Sequence, residues 1–272
     1  MIVDVSTFIG PYPFRLIPGA TAEDLVRQLD RLRIDHAWVG HLAAPWHRDP
    51  RAANAELLRL LYPHAPRLVP VPTVHPGLPG WEADLTAARE AGAPAVRVYP
   101  GQQGLDPAGA EMEALVMTAT ERRTPIILTD RFEDSRQAHP LDVARPLPAA
   151  ALRQLARLSP DARLLVTHAG RSVIEEVHFG LTPAEAATLL WEISWIWGPP
   201  EDDLAALLET VGDRRFTFGT GMPLRIGDGA LAKLDLLDAS ADRLARLTGG
   251  NLREWLEEPL HKSEGGSRRT RQ

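Results

Sequence analysis

Short apolar or alternating runs, each bounded by Gly, Pro or polar residues, recur eight times along the chain, and a stretch of helical periodicity follows most of them. The runs are Ile2 to Val5, His36 to Gly40, Leu68 to Val74, Ala95 to Tyr99, Ile126 to Thr129, Arg163 to Thr167, Leu189 to Trp195 and Phe216 to Gly219. Between them, Leu25, Leu29 and Leu32 follow a capping box at Thr21-Ala22-Glu23-Asp24. Met112, Leu115, Val116 and Ala119 fall at i, i+3, i+4 and i+7, as do Leu204, Leu207, Leu208 and Val211. Alternating strand and helix implies right-handed parallel crossovers, and eight such units close into a (β/α)8 TIM barrel, with an open doubly wound sheet as the alternative. A length of 272 residues suits one such barrel. We assign residues 1–256 to it, and residues 257–272, which are poor in apolar side chains, to a flexible tail.

Composition removes whole classes of chemistry. With no cysteine there is no thiolate metal site, iron-sulfur cluster, disulfide or cysteine nucleophile. A formal net charge of −6 argues against nucleic acid as a partner. No apolar run approaches the roughly 18 residues of a membrane span, and the first residues lack the features of a signal peptide, so a cytoplasmic location away from membranes is expected. Of the 30 basic residues only Lys233 and Lys262 are lysine, which reads as compositional bias. There is no Gly-x-Ser-x-Gly elbow, dinucleotide glycine turn, phosphate loop or His-Glu-x-x-His helix, which disfavours serine hydrolases, dinucleotide enzymes, kinases and zincins.

Polar residues at strand ends are the informative ones, because inward side chains at the C-terminal rim of a barrel build its site. On strand seven the period of two puts Trp191, Ile193, Trp195 and Trp197 on one face and sends Glu192 and Ser194 to the other, into the barrel. The same parity turns Arg97 and Tyr99 inward on strand four. Strand one offers Asp4, Ser6 and Phe8 on one face, strand three Thr73 and His75, strand five Thr129 and Arg131, and strand six His168. A buried Arg97 and Glu192 either pair with each other or leave one charge for a ligand. In the second case Arg97 or Arg131 clamps a carboxylate, and His168 or Glu192 moves protons. Phe132 to Pro148 is longer than a connection needs, and it brings Arg131, Arg136 and His139 over the barrel mouth.

These residues resemble a known family, the amidohydrolase-related branch of the metal-dependent amidohydrolase superfamily. The resemblance rests on Met1 to Gly10, Gly92 to Pro100, Leu164 to Gly170, Phe218 to Pro223 and Gly250-Asn251-Leu252, in that order, and covers nearly the whole chain. It implies a barrel and the chemistry of small carboxylic acids, by hydrolysis or decarboxylation. The family's metal ligands are a His-x-His pair after strand one, a His on strand five, a His after strand six and an Asp after strand eight. Here those positions hold Ser6, Phe8, Thr129, His168 and Gly221, so one ligand is kept. Tyr12 to Arg15, Glu133 to Pro140, Glu192 to Ser194 and Gly219 to Pro223 resemble a metal-poor subgroup of the branch.

The expectation is therefore a metal-independent hydrolase or lyase acting on a small carboxylate-like molecule, with no cofactor. Its site comprises His168 and Glu192 as acid and base, and Arg97, Tyr99, Arg131, Arg136, His139, Ser6 and His75 around the substrate. The alternatives are a non-catalytic barrel that binds a metabolite or partner, and a relocated metal site built from His75, His168 and Glu192. A homodimer is the default if the chain self-associates.

Overall fold

The computed structural model describes residues 1–134, 136–196 and 203–257. Its elements follow the order β1 (Val3–Ile9), α1 (Ala22–Leu32), β2 (His36–His41), α2 (Arg51–Leu61), β3 (Leu68–Pro70), α3 (Trp81–Glu90), β4 (Val96–Val98), α4 (Pro100–Gln103), α5 (Ala110–Glu121), β5 (Ile126–Thr129), α6 (Ala149–Arg157), β6 (Leu164–Thr167), α7 (Arg171–His178), α8 (Pro183–Ala187), β7 (Leu189–Glu192), α9 (Leu204–Leu207), β8 (Phe216–Thr217), α10 (Gly227–Asp235), α11 (Ala241–Ala245) and α12 (Asn251–Glu257). Of the segment expected to form a tail, all but Glu257 lies outside the described residues.

All strand pairs are parallel, in two runs, β1-β2-β3 and β4 through β8. Backbone bonds join the runs on both sides. Val74 N–H donates to Arg97 O (2.9 Å) and Arg97 N–H to Pro72 O (2.9 Å) across β3 and β4, while Val5 N–H reaches Phe218 O (3.2 Å) and Phe8 N–H reaches Met222 O (2.8 Å) across β1 and β8. The sheet is thus a closed eight-stranded barrel, and the open-sheet alternative falls away. The third strand is shorter than expected because Pro70 and Pro72 have no N–H to give the ladder.

Side chains sort by parity. Val96, Val98, Ile126, Leu128, Leu164, Val166, Leu189 and Trp191 face outward, and the helices cover them with Leu25, Leu29, Leu115, Leu152 and their neighbours. Val5, Trp38, Val71, Ala95, Ile127, Leu165 and Leu190 fill the lower interior, which Leu252 and Trp255 of α12 close from below. The layer above is polar, so the site is built on a packed floor. Two features break the parity read from the sequence. The register of β1 shifts between Asp4 and Thr7, so Val3 and Val5 point inward below the shift, while Ser6 and Phe8 face the interior above it. The second break is at β7, which ends at Glu192, so Trp195 sits in a turn against His168 and does not share the outer face of Trp191; Trp197 lies outside the described residues.

No helix of the described residues is long and apolar enough to cross a membrane. Helix α5 tests the packing directly, since Leu115 is fully buried and Met117 is 42% exposed two positions along. Leu115→Ala should cost about 2–5 kcal/mol in denaturant unfolding and Met117→Ala less than about 0.5 kcal/mol. Equal costs would contradict the assigned faces.

Candidate active site

At the centre of the polar layer Ser6 Oγ lies 2.9 Å from His168 Nε2, and His168 Nδ1 lies 2.7 Å from the carbonyl oxygen of Arg131. A carbonyl only accepts, so Nδ1 carries the hydrogen and Nε2 is left to accept from the serine hydroxyl. The geometry depends on backbone: His168 ends β6 at φ +63°, the left-handed region, which turns its ring away from the strand direction and over Ser6. Burial holds the imidazole far down, at about 3, against an upward pull from the Arg131 carbonyl that exceeds the like-charge pressure of Arg225, Arg97 or Arg131 taken singly.

Two buried carboxylates flank this dyad. Asp4 accepts from Ser6 N–H (3.0 Å), Thr220 N–H (3.0 Å) and Thr220 Oγ (2.6 Å). Burial outweighs these bonds and raises its pKa to about 7, with Glu192 adding to the rise. Glu192 accepts from the Ser194 amide, from Ser194 Oγ (2.8 Å) and from the His168 amide (3.4 Å), and burial raises its pKa too. Its place is made by Gly219, where a Cβ would come within 2.5 Å of the Glu192 side chain. Gly40 gives the same clearance to Phe8.

Arg97 is wholly buried, with Nη2 donating to Val5 O (3.0 Å) and its guanidinium carbon 4.7 Å above the Phe8 ring. It does not pair with Glu192. Its Nε and Nη1, the Tyr99 hydroxyl and Thr73 Oγ have no hydrogen-bond partner among the described residues. They form a cluster nonetheless, since Arg97 and Thr73 both oppose the rise that burial gives the Tyr99 phenol.

Phe132 closes the chamber from above. It packs on Phe8 (5.1 Å between centroids), Tyr99 (5.6 Å), Trp46 (5.0 Å) and Tyr12 (6.0 Å), and Glu133 anchors the loop through Tyr12 Oη (2.6 Å) and Arg15. Beyond Trp195, whose ring stacks on His168 at 5.2 Å, opens an outer cavity of about 350 Å³ lined by Trp195, Thr220, Arg225 and Lys233 among others.

Of the residues singled out in the sequence, Ser6, Arg97, Tyr99, His168 and Glu192 come together in the chamber. Arg131 lies at its edge, bonded to Asp130 (2.9 Å) and 5.8 Å from the Trp195 ring. His139 stacks on Phe14 (4.8 Å) and shares with Arg131 a second cavity of about 280 Å³. Arg136 is turned to solvent and bound to Asp134 (2.9 Å). His75 sits past β3 with Nδ1 accepting from Gly77 N–H (3.2 Å). Sequence reasoning missed Phe132, Trp195, Arg225 and Lys233. The scarcity of lysine was the one available signal for the last.

The family model described as Amidohydrolase matches residues 6–257. The chain belongs to the amidohydrolase family. Among solved structures it is similar to a probable 2-pyrone-4,6-dicarboxylic acid hydrolase from Acinetobacter baumannii with citric acid bound (13% identity, TM-score 0.66, covering 94% of this chain and 98% of that one). It is also similar to 2,6-dihydroxybenzoate decarboxylase from Rhizobium (14% identity, TM-score 0.72, 94% and 98%). A third is a dihydroxybenzoic acid decarboxylase from a Polaromonas species with bound manganese and 2-nitroresorcinol (15% identity, TM-score 0.72, 94% and 96%). No curated protein matches the chain in sequence.

The metal that this amidohydrolase's kinship implies does not fit the residues present. Phe8 fills one ligand position and the permanent cation of Arg97 lies over its ring. Thr129 Oγ is 3.1 Å from Thr167 Oγ, and the single imidazole has both nitrogens engaged. Among the described residues no three His, Asp or Glu side chains converge to hold an ion, so His75, His168 and Glu192 do not form a relocated centre.

His168 and Asp4 act oppositely on stability. Native His168 stays neutral down to about 3 while the unfolded chain protonates below its ordinary 6.5, so this group costs stability as pH falls through that window. Native Asp4 keeps a proton up to about 7 that the unfolded chain releases above 3.8, so Asp4 costs stability as pH rises. Asp4→Asn, with Nδ2 donating to Thr220 Oγ, should gain up to about 4 kcal/mol on wild type between about pH 4 and pH 8. Parallel stability curves for the two proteins would remove the raised Asp4.

Proposed function

We propose that this amidohydrolase is a metal-independent hydrolase of a small carboxylate-bearing lactone or ester, with Ser6 as nucleophile and His168 as its base. The observation that carries this reading is the Ser6 Oγ to His168 Nε2 contact of 2.9 Å with Nδ1 fixed on Arg131 O. A nucleophile, a base and a group that orients the base is the arrangement covalent hydrolysis needs. His168 takes the serine proton as Oγ attacks the carbonyl carbon, then returns it to the leaving oxygen; water repeats the sequence to release the acid. The unpartnered donors of Arg97 and Tyr99 suit the substrate carboxylate, which would satisfy groups whose isolation costs several kcal/mol. Substrate reaches Ser6 past Phe132, whose loop is held by the packing of that ring and by Glu133. A similar structure carries the name of a pyrone dicarboxylic acid hydrolase, which supports a lactone with more than one carboxylate.

A second reading, a barrel that binds such acids without turning them over, is favoured by the burial of Ser6 and His168 and by the full hydrogen bonding of Glu192. Turnover separates the two. Ser6→Ala should lower kcat/KM for carboxylated lactones or esters by about 10²- to 10⁴-fold, and His168→Asn, which tolerates the left-handed backbone, by a similar factor. Dialysis against a chelator should leave the rate unchanged. Loss of activity on chelation, or full activity in Ser6→Ala, would end the reading; thermal stabilisation by the acids without conversion would establish the binder.

A further inference from the structure

Lys233 extends from the last turn of α10 onto the wall of the outer cavity, where its Nζ lies 2.8 Å from Ser194 O and 3.2 Å from Ile193 O. Both partners are carbonyls and can only accept, so they engage two N–H bonds. A neutral amine has two such bonds and one lone pair. With both N–H bonds held on the β7 end, the lone pair is left to face the cavity. Arg225 lines the same wall, its guanidinium carbon 3.6 Å over the Trp195 ring and Nη1 3.4 Å from Ser194 O. The acids opposite are already engaged: Glu133 by Tyr12 and Arg15, Asp134 by Arg136. Arg225 and Lys233 place two basic groups on this wall, with Glu192 the acid acting on both.

We propose that Lys233 forms an imine with a small 2-oxo acid in the outer cavity, with the acid's carboxylate held by Arg225. The pairing of an amine with a neighbouring cation in a desolvated pocket is the general means of making a lysine nucleophilic at neutral pH. Burial, with Arg225 adding to it and Glu192 opposing it, brings the Lys233 amine down to about 8. Identity at this position matters too. An arginine here could not lose its proton, whereas a lysine can. In the step itself Nζ adds to the carbonyl carbon to give a carbinolamine. The carbinolamine oxygen then leaves as water with the two amine hydrogens, and a solvent proton yields the iminium. No electron is gained or lost. The imine needs neither Ser6 nor His168 as a reactant.

The test is reductive trapping. The full-length protein is incubated with pyruvate and sodium cyanoborohydride at about pH 8, and the adducts are located by peptide mass mapping. Lys233 should be labelled about tenfold or more faster than Lys262, with a rate that saturates in pyruvate, while labelling of the amino terminus rises linearly. Arg225→Gln should raise the half-saturating pyruvate concentration by about tenfold, the loss of one charge-assisted contact. Equal labelling of the two lysines in the wild-type protein, or a Lys233 rate that never saturates, overturns the proposal without reference to any variant. Unchanged saturation in Arg225→Gln overturns the carboxylate assignment.

Discussion

A guanidinium that cannot shed its charge is buried in the middle of the barrel, and the polar layer is organised around it. Arg97 donates to Val5 O, lies over the face of Phe8 and sits against the Tyr99 hydroxyl. A permanent cation in such surroundings needs compensation, and a quadrupole and one carbonyl dipole supply only part of it. The nearby carboxylates do not bond to it. Asp4 is satisfied by Thr220 and the Ser6 amide, Glu192 by Ser194 and the His168 amide, and burial pushes both toward their protonated forms. The Nε and Nη1 of Arg97 keep no geometric partner among the described residues, which is what the proposed carboxylate would supply. The same cation helps keep His168 neutral, which is the state a base must start from.

The barrel was legible because its causes are local and repeated. Apolar runs of period two, helices with Leu25, Leu29 and Leu32 or Met112, Leu115, Val116 and Ala119 on one face, and an N-cap at Thr21 whose side chain accepts from Asp24 N–H are each set by a few neighbouring residues. Parity also brought Arg97, Tyr99 and Glu192 inward. It failed where the backbone leaves the regular strand. The register shift in β1 separates Asp4 from Ser6, and the turn after Glu192 carries Trp195 from the expected outer face onto His168. Neither break has a sequence signature, because each depends on which atoms of β6 and β8 meet the strand in space.

The loop residues show the converse. Arg131, Arg136 and His139 were chosen as charges above a barrel mouth, yet the residue that holds the loop in the chamber is Phe132, buried in a cluster drawn from β1, β4 and the segments after β1 and β2. Long-range aromatic packing of this kind leaves no period to read. Arg225 and Lys233 were missed for a related reason: one sits in the turn after β8 and the other on the inner side of α10, so both depend on where the last crossover lies against β7.

Trp195 links the two compartments. The His168 ring stacks on it at 5.2 Å and the Arg225 guanidinium lies 3.6 Å over it, so one indole separates the dyad from the outer cavity. Charge passes its influence across this wall. Arg225 is the foremost of the arginines holding the imidazole down, and an anion bound to Arg225 cancels that pressure at its source. With the proposed anion in place His168 would be a stronger base, and by reciprocity a protonated His168 would tighten the hold on that anion. One aromatic side chain thus keeps the dyad and the cationic wall of the outer cavity within electrostatic reach of each other.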